Sequence, residues 1–187
     1  MKSSVDYDPY IRKEGLIVAD IIKKIFGYKV SVRKKEHQDF LEFDEEFGIY
    51  RVNFPAKVVN TVYVTGNQIL SAYPKSVEDF CYGVSSPKTK SVIISLARLR
   101  GLKGEDSSVL RVSKKEYERR IKNLTVHEVG HWAVKNQDHF DDYAKSIFDQ
   151  GAHCRDPKCV MHPGATMAKS NIYRKFLCPL CFSNLIK

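Results

Sequence analysis

Residues 127–131 read His127-Glu128-Val129-Gly130-His131, in the middle of the clearest helical pattern of the chain. On a helix, positions i and i+4 stack on one face about a turn apart, so both imidazoles can reach a single zinc ion. Glu128 follows the first histidine directly, and its carboxylate can reach a metal-bound water without being a ligand. The helix also has a start signal. Ser113-Lys114-Lys115-Glu116 is a capping box, in which the serine hydroxyl and the glutamate side chain satisfy free amides of the first turn. Tyr117, Ile121, Leu124, Glu128 and Trp132 continue one stripe, and no Gly or Pro intervenes before Asn136 except Gly130. This spacing predicts a helix over about 113–136.

A zinc ion that keeps one position open needs a third protein ligand. No glutamate follows Glu128, which eliminates a glutamate ligand from a later helix. Asp138, Asp141, Asp142 and Asp149 stand in no distinctive context, and the remaining candidates are His139, His153 and His162. Four of the five cysteines crowd the same region as Cys154-x4-Cys159 and Cys178-x2-Cys181. Two close pairs of this kind form the closed four-thiolate arrangement of structural zinc. Two disulfides would require an oxidising compartment. Met1 to Pro9 holds no apolar signal region, and Ile11 to Phe26 carries six charged side chains, so neither secretion nor a membrane span is expected. The expected location is cytoplasmic. Cys81, in an apolar context, reads as a buried small hydrophobe, and His37 as a solvated side chain.

With 187 residues, 43% of them apolar and 11% aromatic, one domain can bury a real core, which excludes wholesale disorder. Tyr10 to Gly27 reads as an amphipathic helix stopped by Gly27, and Tyr28 to Arg33 as a half-buried strand. Lys34 to Glu46 reads as a charged connector in which Phe40, Leu41 and Phe43 must dock somewhere. Gly48 to Phe54, Lys57 to Thr65 and Ser91 to Leu96 read as strands, with a short one around Phe80 to Gly83. Strands first, a long helix next and a Cys-rich tail last indicate an α+β fold.

These residues resemble the archaemetzincin family of metzincin-type zinc proteases. The resemblance is carried by HEVGH, by Gly151-x-His153-Cys154-x4-Cys159-x-Met161 and by Cys178-x2-Cys181. Phe80-Cys81-Tyr82-Gly83, Val92 to Leu99 and Arg111 resemble the segments that precede the family's active-site helix. The family implies a zincin-like fold with a twisted mixed sheet, an N-terminal helix, an active-site helix and a small Cys-rich lobe. It implies a peptide-hydrolysing enzyme with two zinc ions. His127, His131 and His153 would bind the catalytic zinc, with Glu128 as general base and Met161 in a methionine turn beneath it. Cys154, Cys159, Cys178 and Cys181 would bind the structural zinc. On this reading, residues 1–136 form an N-terminal lobe, 137–152 an insertion and 153–187 a C-terminal lobe, within one compact domain.

The chain departs from the pattern HExxHxxGxxH. Between His131 and His153 stand 21 residues, Trp132 to Ala152, which is 16 more than that pattern holds. The bend glycine is displaced to Gly151, and the sixteen residues from Met161 to Cys178 are one fewer than the family's usual spacing. Phe140, Tyr143, Ile147 and Phe148 lie at helical spacing, which predicts that the insertion extends the helix and folds back as another. That path returns His153 to the metal, with His139 as the alternative third ligand.

The net charge of +9 concentrates at Arg98 to Lys122 and Gly151 to Lys187, each +5. Such surfaces suit phosphate or an acidic peptide, so the expected substrate is a peptide or protein, an acidic one included. A zinc-containing nucleic-acid module is the alternative of another class. The absence of aromatic residues interleaved with the basic ones argues against it. A catalytically silent metzincin scaffold is the third reading.

Overall fold

The computed structural model describes residues 1–36, 39–46, 48–52, 54, 59–70, 80–86, 89–97, 99, 112–134, 140–141, 153–162 and 177–186. At Phe80, Phe140 and Asp141 it describes the backbone only. In chain order the elements are β1 (Lys2–Tyr7), α1 (Arg12–Phe26), β2 (Lys29–Lys34), β3 (Leu41–Asp44), β4 (Ile49–Val52), β5 (Thr61–Thr65) and β6 (Ile69–Leu70). There follow β7 (Phe80–Cys81), β8 (Gly83–Ser86), β9 (Ser91–Ser95), α2 (Lys114–Ala133), β10 (Phe140–Asp141), β11 (His153–Cys154) and α3 (Pro179–Ser183).

The main sheet has the order β2-β1-β5-β9-β8. The first four strands are parallel, and β8 runs antiparallel along the edge beside β9. The unit β1-α1-β2 is a parallel crossover, so the architecture is an α/β one on a mixed sheet. Both long helices cover one face. Val18, Ile22 and Phe26 of α1 and Ile121, Leu124, Val129 and Trp132 of α2 share a core with Val5, Val62, Val64, Val92 and Ile94 of the sheet. Burying each such side chain is worth about 1.5–3 kcal/mol relative to exposure. The other face meets a second sheet, β3-β4-β6-β7, through Phe40, Leu41, Tyr63, Ile69 and Ile93.

The sequence expectations hold for α1, which ends at Gly27 in the left-handed conformation (φ 70°), with the Gly27 N–H donating to Lys23 O. Three expectations are corrected. The charged connector contains a strand, because Leu41-Glu42-Phe43-Asp44 alternates and pairs with β4, while Phe40 stacks on Tyr63 with ring centroids 4.1 Å apart. The strand read from Lys57 begins at Thr61, and residues 55–58 lie outside the described ones. No strand was expected at Lys2 to Tyr7, yet β1 lies inside the sheet.

That strand escapes a search for apolar alternation because its second face is polar and satisfied. Asp6 is only 1% exposed. It accepts from Arg33 Nε at 2.8 Å and Arg33 Nη2 at 3.0 Å, and Nη2 also donates to Ser4 Oγ at 3.0 Å. Just beyond the strand, the buried Asp8 carboxylate accepts from the Tyr63 hydroxyl, from Thr65 Oγ1 at 2.6 Å and from Gly66 N at 3.1 Å. This network stitches β1 to β5 where apolar packing is missing. Asp8→Ala leaves three donors without their acceptor. It is expected to lower unfolding free energy by about 3 kcal/mol, against about 1 kcal/mol for Tyr63→Phe. Urea titrations of the two variants measure the difference.

Candidate metal centre

Ser113 begins α2 as the sequence requires, its Oγ accepting from Glu116 N at 3.2 Å. The helix ends at Ala133, not Asn136, because Val134 turns extended (φ −100°, ψ 119°) and bridges to Leu185. Ile186 N caps the free carbonyl of Ala133 at 2.7 Å, and Ile186 O accepts from the Tyr28 hydroxyl at 3.1 Å. Tyr28 stacks on Trp132, centroids 5.6 Å apart. The expected extension of α2 is therefore not formed, and the fold-back helix expected through Tyr143, Ile147 and Phe148 lies outside the described residues. Instead Phe140–Asp141 pairs antiparallel with His153–Cys154, setting Asp141 opposite His153.

The consequence is that His127, His131 and His153 converge. Their ring centroids lie 4.9, 5.2 and 4.8 Å apart, and one nitrogen from each falls within 4.8 Å of the others. His127 Nδ1 lies 2.6 Å from the carbonyl oxygen of Val160. A carbonyl can only accept, so Nδ1 carries the proton and Nε2 keeps its lone pair. Burial pushes the His127 pKa down, against the Val160 bond, and the nearby His162 lowers it further. A neutral imidazole is the form that binds a metal. Three imidazoles, with no fourth protein donor among the described residues, suit a zinc ion that keeps an open position.

Glu128 is 7% exposed, and burial pushes its carboxyl up to about 8. The edge strand β8 closes over it. A Cβ on Gly83 would lie 2.5 Å from Glu128 Cδ, so a larger residue there would require the Glu128 side chain to move. Cys81, beside it, donates its thiol to Leu70 O at 3.3 Å. Burial, then the charge of Glu128, pushes it up to about 12.

Under α2 lies the turn from Cys154 to His162, closed by Cys154 N donating to Met161 O at 2.9 Å. Met161 is fully buried, and a Cβ on Gly130 would lie 2.2 Å from its sulfur. Cys154, Cys159, Cys178 and Cys181 gather one residue further along from His153. Cys154 Sγ is 3.8 Å from Cys178 Sγ, and Cys159 Sγ is 3.7 Å from Cys181 Sγ. A disulfide needs about 2.05 Å, whereas four sulfurs at about 2.3 Å around one ion stand about 3.8 Å apart. Backbone amides of Asp156, Cys178 and Cys181 each donate to a sulfur at 3.4 Å. A hydrogen bond from Cys181 brings Cys159 down to about 5, while burial pushes Cys154 up to about 12. Four thiolates cannot share so small a volume without a cation to balance them.

All seven expected ligands therefore fall into two clusters. His139, Asp138, Asp142, Asp149 and Gly151 lie outside the described residues, as do Arg111 and His37. Of the basic stretch Arg98 to Lys122, Arg119 and Arg120 in α2 are bound through Nε to Glu116 at 2.9 and 3.0 Å. No helix among the described residues is long and apolar enough to cross a membrane. Sequence reasoning missed the Val160 carbonyl, which has no side-chain signature. It also missed the role of Gly83, whose signal was the glycine ending Phe80-Cys81-Tyr82-Gly83.

Fold and clusters together define an α/β chain with two side-chain groups able to hold a metal ion. No family model matches the chain. The archaemetzincin of Thermococcus kodakarensis is 27% identical over 113 residues, covering 58% of this chain and 48% of that protein. The chain thus spans about half the length of the curated relative it matches. The crystal structure of an archaemetzincin from Archaeoglobus fulgidus superposes with a TM-score of 0.66 at 20% identity, covering 99% of this chain and all of that one. A zinc-dependent peptidase from Methanocorpusculum labreanum gives 0.66 at 18% identity, over 98% and 99%. The fold is theirs, and the resemblance to the archaemetzincin family read from the sequence is borne out.

The Gly130–Met161 contact is directly testable. Gly130→Ala overfills the space and is expected to cost about 1–3 kcal/mol. Met161→Ala in the same chain should recover part of that, and a double-mutant cycle by chemical denaturation should show a coupling of at least about 1 kcal/mol.

Proposed function

We propose that the chain is a zinc-dependent metallopeptidase. His127, His131 and His153 hold the catalytic zinc, and the four cysteines hold a structural one. The observation that carries the reading is the convergence of three imidazoles beside a buried carboxyl that belongs to no ligand set. Zinc, when bound, supplies Lewis acidity at an open position. Glu128 takes the proton of the attacking water at a carboxylate oxygen and delivers it to the leaving amine nitrogen. The Val160 carbonyl holds His127 in the tautomer that leaves Nε2 available. The absence of a side chain at Gly83 leaves the space that the Glu128 carboxylate occupies beside β8. Met161 supports the triad from below and takes no part in the chemistry. The substrate is a peptide or protein, and the basic surface suits an acidic one.

Elemental analysis of the purified protein is expected to find about two zinc ions per chain. A content that stays the same after Cys178→Ser and Cys181→Ser would remove the second site. His153→Ala should weaken the triad's zinc, whereas His139→Ala should not. Glu128→Gln should retain zinc while peptide hydrolysis falls by about 10²–10⁴-fold. Full activity in that variant would eliminate Glu128 as the base.

A further inference from the structure

Asn123 is 6% exposed, and neither Nδ2 nor Oδ1 has a hydrogen-bond partner among the described residues. Buried side-chain amides are nearly always satisfied, and leucine occupies about the same volume without the penalty. The position of the residue gives the orphaned amide a use. Asn123, His127 and Gly130 lie at i, i+4 and i+7 on α2, one stripe of the helix. Gly130 on that stripe touches Met161, and His127 belongs to the triad. The side chain of Asn123 therefore stands one helical turn from the triad, on the flank that faces the turn beneath α2.

We propose that Asn123 is a specificity-determining residue that recognises a carboxamide side chain, Gln or Asn, flanking the scissile bond of the substrate. The inference rests on the peptidase reading above and names the substrate class of that same site. A carboxamide brings one donor and one acceptor in a plane, and so satisfies Nδ2 and Oδ1 together. A carboxylate can accept from Nδ2, but it sets its own lone pairs against Oδ1. An aliphatic side chain leaves both atoms unpaired, and a site built on hydrogen bonds discriminates most sharply against such a ligand.

The test separates binding from hydrolysis. Alanine heptapeptides with a central Gln, Glu or Leu are titrated calorimetrically into the zinc-loaded Glu128→Ala protein. The Gln peptide is expected to bind about tenfold tighter than the Leu peptide. Adding Asn123→Leu should abolish or invert that ratio. Asn123→Leu alone should raise Tm by about 3 °C, because it removes a buried unsatisfied amide. A Gln preference that survives Asn123→Leu, a preference for Glu or Leu, or a fall in Tm would each overturn the proposal. Selective binding of the Gln peptide without cleavage by the Glu128-intact protein would overturn the peptidase reading and support the recognition. Failure of all three peptides to bind would overturn both.

Discussion

There is no room for a methyl group between Gly130 and Met161, so α2 packs closely on the turn that carries His153, Cys154 and Cys159. The active stripe of α2 presses directly on a turn that is itself tied by Cys154 N to Met161 O. Because the turn is pinned there, His153 at its start meets His127 and His131, and the Val160 carbonyl reaches His127 Nδ1. A larger residue at position 130 would require the buried Met161 side chain to shift. The glycine in HEVGH is thus as much a packing requirement as the histidines are a chemical one.

The insertion between His131 and His153 shows why ligand geometry tolerates long additions. Closing a longer loop costs little more than closing a short one, since the entropy grows only as the logarithm of length. What must be preserved is the exit from α2 and the entry to the turn. The exit is set by Val134, which leaves the helix in an extended conformation and is held by Leu185 and Ile186. The entry is set by the pairing of Asp141 with His153.

Much of the site was legible in the sequence, and the fold less so. The helical stripe through Ile121 and Leu124, the cap at Ser113 and the cysteine spacing carry their physics locally, and each is found where expected. The place of His153 beside His127 and His131 was expected only from a resemblance, because 21 intervening residues hide any periodic relation between His131 and His153. The strand β1 was invisible for a different reason. Ser4 and Asp6 look like surface residues, and only their partners Arg33 and Thr61, 27 and 57 positions away, make them interior ones. The strand in the charged connector escaped because Glu42 and Asp44 masked the alternation of Leu41 and Phe43. Hydrogen bonds between distant residues and backbone carbonyls such as that of Val160 leave no mark in local composition.

His153 and Cys154 are neighbours on β11, and successive side chains of a strand point to opposite sides. One peptide unit therefore belongs to the imidazole triad on one side and to the sulfur quartet on the other. The backbone that sets the position of the His153 imidazole is thus the same backbone that sets the position of the Cys154 sulfur, and a shift of that strand at one cluster is a shift at the other.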